Sequence, residues 1–137
     1  FERIIETMED EECSFYAAEN KLGDGMLTHD QISEMMMQKA EMPQELVDAV
    51  SLHHEPGEAP SPLLALVHVA NGVCSEMGFG YNDSDTVNYD RGALKALGLK
   101  RQTVRDIVEE LSAAVAKEVM DVVSQCLGEA PPSPADV

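Results

Sequence analysis

The sequence predicts an all-α fold that ends in a long helix. Apolar residues recur at three- and four-residue steps along most of the chain, which is the spacing of one helix face. No segment shows the alternating pattern of a half-buried strand. Two segments also begin with capping residues, Thr28 in "THDQ" and Ser61 in "SPLL". These features together indicate helices nearly throughout.

The first half of the chain predicts four helices. An acidic helix occupies residues 2–10, and a short one lies in "SFYAAENKLG". The third follows "THDQ" and carries three consecutive methionines, 35–37, which we expect to pack in the core. The fourth spans "EMPQELVDAVSLHHEP" and is closed by Pro56, since proline cannot continue a helix.

The second half predicts three more helices. The segment "SPLLALVHVANGVCSEMG" is apolar on more than one side, so we expect it to be central and buried, with His68 in the core. A short helix in "YDRGALKALG" comes next. The last helix runs from about residue 101 to 127, and a single apolar stripe runs along it through residues 104–126. The tail 128–137 is expected to be disordered.

Charge and composition narrow the function classes. The formal charge of −17 excludes nucleic acid as a favoured partner, because phosphates are repelled over most of the surface. Five of the nine basic residues nevertheless fall within 91–105, a stretch without acids. No run of about 18 apolar residues predicts a membrane span. The three cysteines are scattered and odd in number, which favours free thiols and a cytoplasmic location.

Three of the four histidines form a candidate metal site. His29 opens one helix, and His53 and His54 end the next. An antiparallel hairpin places the start of the first helix beside the end of the second, so the three imidazoles are expected to meet. Neutral imidazole binds zinc, iron, nickel and manganese to varying degrees. The alternative is structural, because histidines also favour helix ends and buried hydrogen bonds to carbonyls.

The order of these motifs resembles the HDOD domain, a bacterial signal-transduction relative of the HD and HD-GYP phosphohydrolases. The segments that carry the resemblance are "THDQISEMM", "MPQELVDAVSLHHEP", "PLLALVHVANGV" and "ALKALGLKRQTVRDIVEEL". The resemblance covers residues 1–127 and implies an HD-like bundle of about five to seven helices. It also implies that the chain is the C-terminal portion of a larger domain, which docks against an N-terminal helical half.

The resemblance implies a degenerate metal site. In the metal-binding relatives, the positions that match His29, His53 and His54 can be ligands, and a later aspartate completes the site. This sequence has Asn71 at that later position, in "HVAN", and no His-Asp pair precedes His29. A pair of hydrolytic ions needs bridging carboxylates.

These observations support three functions. The preferred one is a non-catalytic signalling module that acts through protein–protein contacts, with no catalytic residues and no cofactor. The first alternative is a metal-dependent phosphohydrolase or phosphodiesterase that uses Fe, Mn or Zn, with Glu55 or Asp30 in place of the lost carboxylates. The second is a helical dimerisation module, in which two copies of the chain pair through residues 104–126.

Overall fold

A computed structural model describes residues 2–23, 27–79 and 87–127. Within these ranges the chain forms seven α-helices and no β-strand, so the predicted all-α fold with a long last helix is confirmed. The helices are α1 (Glu2–Glu11), α2 (Phe15–Lys21), α3 (His29–Lys39), α4 (Gln44–Ser51), α5 (Pro62–Glu76), α6 (Arg91–Ala96) and α7 (Arg101–Leu127). The predicted tail, 128–137, lies outside the described residues.

The chain divides into two compact units, the first ending at Arg101 and the second beginning at Gln102. The first unit contains α1 to α6, and the second contains all of α7 except its first residue. The single domain predicted over 1–127 stays a prediction. In the described part of the chain, no helix is long and apolar enough to span a bilayer.

Local capping explains where several helices of the first unit begin. Thr28 and Gln31 form the predicted capping box: the Thr28 hydroxyl accepts from the Gln31 amide, and the Gln31 side chain accepts from the Thr28 amide at 3.2 Å. Ser61 caps α5 by accepting from the Leu64 amide, and Asp90 caps α6. Such caps each contribute about 1 kcal/mol, which is why these boundaries can be predicted from sequence.

Helix α5 is the centre of the first unit, as its apolar sequence predicts. It packs against both α4 and α6, and α3 packs against α4. Its buried residues are Leu64, Ala65, His68, Val69, Gly72 and Val73. Gly72 is required for close packing, because a Cβ at this position would stand 2.6 Å from a ring carbon of Tyr89.

Helix α4 ends earlier than predicted. It stops at Ser51, so His53 and His54 lie just beyond it rather than in its last turn. Leu52 leaves the helical region with φ −113° and ψ 6°. Beyond the helix, the amide of Glu55 donates to the carbonyl of Leu52 at 3.0 Å and closes a tight turn that leads into Pro56.

The methionines of α3 are not core residues, contrary to the prediction. Met35 is 58% exposed and Met36 is 67% exposed, while Met37 is half-buried. Because α3 packs against α4, its opposite face reaches the surface. Ile32, one turn before Met35 and Met36, is also exposed, so the apolar face of α3 points outward.

The residues of the predicted apolar stripe, 104–126, all lie within helix α7. Several stripe residues are exposed, among them Leu111, Val119 and Val122. A helix of 27 residues is about 40 Å long.

Candidate metal centre

The three histidines predicted to meet do lie together. His29 is the first residue of α3, and His53 and His54 come just after the end of α4. The Nε2 atoms of His29 and His54 are 3.1 Å apart. The ring centroids of His53 lie 5.9 Å from His29 and 4.0 Å from His54. The antiparallel packing of α3 on α4 produces this cluster, as the hairpin argument expects.

A fourth donor, Asp30, joins the histidines. Its Oδ1 lies 2.9 Å from Nε2 of His29 and 3.9 Å from Nδ1 of His53. The residue is only 8% exposed, yet this oxygen has no hydrogen-bond partner. One ligand atom from each of His29, Asp30, His53 and His54 lies within 4.8 Å of the others. A buried carboxylate oxygen without a donor is unusual, and it points into the cluster.

Glu19 fixes the orientation of His29. Its carboxylate accepts the backbone amide of His29 at 3.2 Å and also contacts Nδ1 of the ring. Nδ1 therefore carries the ring proton, and the Nε2 lone pair faces the cluster. That assignment explains why Nε2 gives no hydrogen bond to the nearby oxygen of Asp30. Glu19 is itself 8% exposed.

His53 is oriented by the end of α4 and by His68. Its Nδ1, the atom 3.9 Å from Asp30, donates to the carbonyl of Val50 at 2.7 Å, so the ring nitrogen that keeps a lone pair for a cation is Nε2. His68 donates from Nδ1 to the carbonyl of His53 at 2.7 Å and accepts the amide of Asp90 on Nε2 at 3.0 Å. His68 is buried and both of its ring nitrogens are hydrogen-bonded, so its predicted core position is confirmed. Its bond to the carbonyl of His53 fixes the backbone beside the cluster.

His54 is a neutral imidazole held by an aromatic ring. Burial, followed by the nearby imidazoles of His53 and His29, lowers its pKa to about 4. A neutral ring keeps a lone pair for a cation at pH 7. Tyr16 stacks on His54, with ring centroids 4.2 Å apart and an angle of 15°. The Tyr16 hydroxyl donates to Oε1 of Glu55 at 3.3 Å.

Burial raises the pKa of the Asp30 carboxyl, while the imidazoles of His29 and His53 pull it back down. The ionised form is therefore disfavoured in the folded protein until a positive charge compensates it. Glu55, the other carboxylate proposed from sequence, is bonded to Tyr16 and is not among the four clustered donors. Of the two, only Asp30 is placed to complete a metal site.

The donor set fits a divalent transition-metal ion. Three imidazole nitrogens and one carboxylate oxygen suit zinc, iron or manganese. Atoms bound at 2.0–2.2 Å to one ion stand roughly 3 to 4 Å apart, so the widest gap in the cluster closes with a movement of about 1 Å. The Nε2 atoms of His29 and His54 share one proton, so both could hold a cation only if His54 carried its ring proton on Nδ1 instead.

A cavity of about 430 Å³ opens beside the histidines. Its lining residues are Ser14, Phe15, Tyr16, His29, His53, His54, His68, Asn71, Gly72, Ser75, Val87, Asn88 and Tyr89. None of these lining residues is Lys or Arg, so an anionic ligand gains no charged partner from the described cavity wall. Asn71, which stands where the resemblance implies an aspartate, faces this cavity.

Comparison with protein-family models, with curated proteins and with solved structures found no match. The resemblance to the HDOD domain stays a prediction from the sequence.

Proposed function

We propose that the chain is an HDOD-like signalling module that holds one divalent transition-metal ion and acts through protein contacts rather than by turnover. The observation that carries the proposal is the buried Oδ1 of Asp30, which lacks a donor and faces His29 and His53. When bound, the ion supplies a positive charge that joins the start of α3 to the segment after α4.

The carboxylates around the cluster favour one ion over two. A pair of hydrolytic ions requires carboxylates that bridge them. Glu19 is engaged by His29, and Glu55 is engaged by Tyr16. Asn71 is neutral. Four protein donors also complete the ligand count of a structural zinc site, whereas catalytic zinc sites use three and keep a position for water.

The exposed face of α3 supports a function through protein contacts. Met35 and Met36 lie one helical turn after Ile32, and the three side chains are 58%, 67% and 45% exposed, respectively. Contiguous exposed apolar side chains are typical of surfaces that bind other proteins, and methionine adapts to varied partners. The resemblance assigns the partner as an N-terminal helical half or another protein.

Elemental analysis and calorimetry test this proposal. Protein purified without added metal should contain, or take up from Co²⁺, about one equivalent of a divalent ion. His53→Ala should bind less, while the control Asp48→Asn, which alters a half-buried α4 carboxylate outside the cluster, should bind normally. Bis(4-nitrophenyl) phosphate should not be hydrolysed by the loaded protein. Failure to bind any divalent ion would remove the proposal.

A metal-dependent phosphohydrolase is the second candidate. The observation in its favour is that the Asp30 carboxylate stands among imidazoles that line a cavity large enough for a small phosphate ester. In that case the ion would supply Lewis-acid activation of water and of the phosphoryl group. Metal-dependent hydrolysis of a phosphate ester by the unchanged chain, abolished in His53→Ala, would favour this function over the signalling proposal.

A further inference from the structure

The hairpin of α1 and α2 has its own small core. Its buried residues Ile4, Met8 and Ala18 pack with Ile5, Cys13, Phe15 and Leu22, and all of these belong to the hairpin. Lys21 and Glu11 form an ion pair across it. The hairpin is therefore a small packed element in its own right.

This hairpin touches the metal cluster through α2. Glu19 binds the backbone amide and ring of His29, and Tyr16 stacks on His54. Tyr16 also donates to Glu55, the residue after the double histidine. One face of α2 thus contacts both sides of the cluster, the start of α3 and the segment after α4.

We propose that Glu19 and Tyr16 are positioning residues that couple a bound cation to the docking of the α1–α2 hairpin. The hairpin is then the element by which the module reports whether its site is occupied. This inference rests on the proposed function, because it requires a cation at the cluster.

The coupling through Glu19 has a direct physical cause. A cation on Nε2 of His29 makes the opposite Nδ1–H a stronger donor and adds positive charge near the Glu19 carboxylate. Glu19 in return fixes the tautomer and orientation of the ring that would bind the cation. Changing such a partner typically costs 10- to 100-fold in metal affinity.

The coupling through Tyr16 is mechanical. Ligation fixes the ring of His54, and a fixed ring offers Tyr16 a constant stacking surface. The coupling between cation binding and hairpin docking is reciprocal. Firmer docking of the hairpin therefore also raises the affinity of the site for the cation. A bound cation should therefore slow amide exchange in the hairpin. Loss of either the Glu19 or the Tyr16 contact should weaken both this protection and the binding of the cation.

Calorimetric titration of the full chain with Co²⁺ tests the positioning role. Glu19→Ala should weaken Co²⁺ binding about 10- to 100-fold, and Glu19→Gln, which keeps an acceptor but not the charge, should fall between it and the unchanged chain. The matched control is Glu11→Gln, which removes a carboxylate of the same hairpin outside the cluster. It should bind Co²⁺ within about twofold of the unchanged chain, since only partners of the ligands tune affinity.

Hydrogen exchange with and without Co²⁺ tests the coupling itself. Saturating Co²⁺ should slow amide exchange across residues 2–22 in the unchanged chain, and should slow it far less in Glu19→Ala. Tyr16→Leu provides a second variant that leaves the buried carboxylate intact and should show the same loss. Circular dichroism before titration establishes that each variant keeps its helices.

The outcomes separate the two proposals. Tight Co²⁺ binding with no change in exchange at 2–22, and with Glu19→Ala binding as tightly as the unchanged chain, would overturn the coupling and leave the metal site standing. No Co²⁺ binding by the unchanged chain would overturn both. Co²⁺-dependent protection that both variants lose supports the coupling.

Discussion

Replacing Asp30 by asparagine should move stability and metal affinity in opposite directions. The substitution keeps the shape of the side chain and removes its charge. In the protein without a cation, the carboxyl group is buried and its Oδ1 accepts no hydrogen bond. Asparagine is neutral, so Asp30→Asn should stabilise the fold at neutral pH while it weakens cation binding.

The stability gain follows from the raised pKa of Asp30. An acid with a raised pKa opposes folding once the pH exceeds its unfolded value of 3.8. Leaving a buried polar atom without a partner costs about 1–3 kcal/mol, and the asparagine amide NH2, turned to the position of Oδ1 2.9 Å from the Nε2 lone pair of His29, removes that cost by donating to it. Taking the lower end gives a gain of about 1 kcal/mol, or roughly 3–5 °C in Tm for a chain of this size. Below pH 3.8 the difference between the two proteins should vanish, because both side chains are then neutral.

The affinity loss is larger. A ligand that supplies the only negative charge of the set should be worth at least about 100-fold in Kd, or about 2.7 kcal/mol. At a Co²⁺ concentration of 100 times Kd, the unchanged chain should gain about 2.7 kcal/mol of stability from binding. Asp30→Asn at the same concentration should gain only about 0.4 kcal/mol.

Thermal unfolding measured by circular dichroism, with and without Co²⁺, reports both effects in one series. Asp48→Asn is the control, since it changes a half-buried aspartate outside the cluster that accepts from Gln44. The reasoning would be refuted if Asp30→Asn were less stable than the unchanged chain without Co²⁺, or if Co²⁺ raised the Tm of both proteins equally.

Three further predictions concern other parts of the chain. NMR titration should show His54 neutral down to about pH 4, so stability should fall as pH drops from about 6.5 toward 4; titration near 6.5 would contradict this. Gly72→Ala should lower stability by about 1–3 kcal/mol, although alanine favours helices, because its Cβ meets Tyr89; an unchanged Tm in calorimetry would contradict the packing. If two copies pair through 104–126, light scattering should show a concentration-dependent dimer that Val122→Lys abolishes, and a strict monomer would exclude it.

The parts of the fold that could be predicted depend on local chemistry. The capping box of Thr28 and Gln31 lies within four residues, and the start of α5 at Ser61 is equally local. Helical spacing shows which residues share a face, but it does not show whether that face is buried. Met35 and Met36 therefore have the pattern of core residues and yet lie at the surface.

The candidate site likewise contains some residues that the sequence predicts and others that it does not. The meeting of His29 with His54 follows from hairpin geometry, which the sequence predicts. The sequence does not predict that Glu19 belongs to the site, because a glutamate on a short helix has the pattern of a surface residue. Only tertiary packing brings α2 against α3. The burial of Asp30 cannot be predicted from the sequence either, since acidic residues in a first helical turn are ordinarily exposed to solvent.

Anomalous diffraction from crystals grown with Co²⁺ tests the central claim most directly. We expect a single peak within bonding distance of Nε2 of His29 and of Oδ1 of Asp30. Two peaks about 3.5–4 Å apart would contradict it and indicate a dinuclear hydrolytic site. Absence of any peak among the three histidines would show that the cluster is structural.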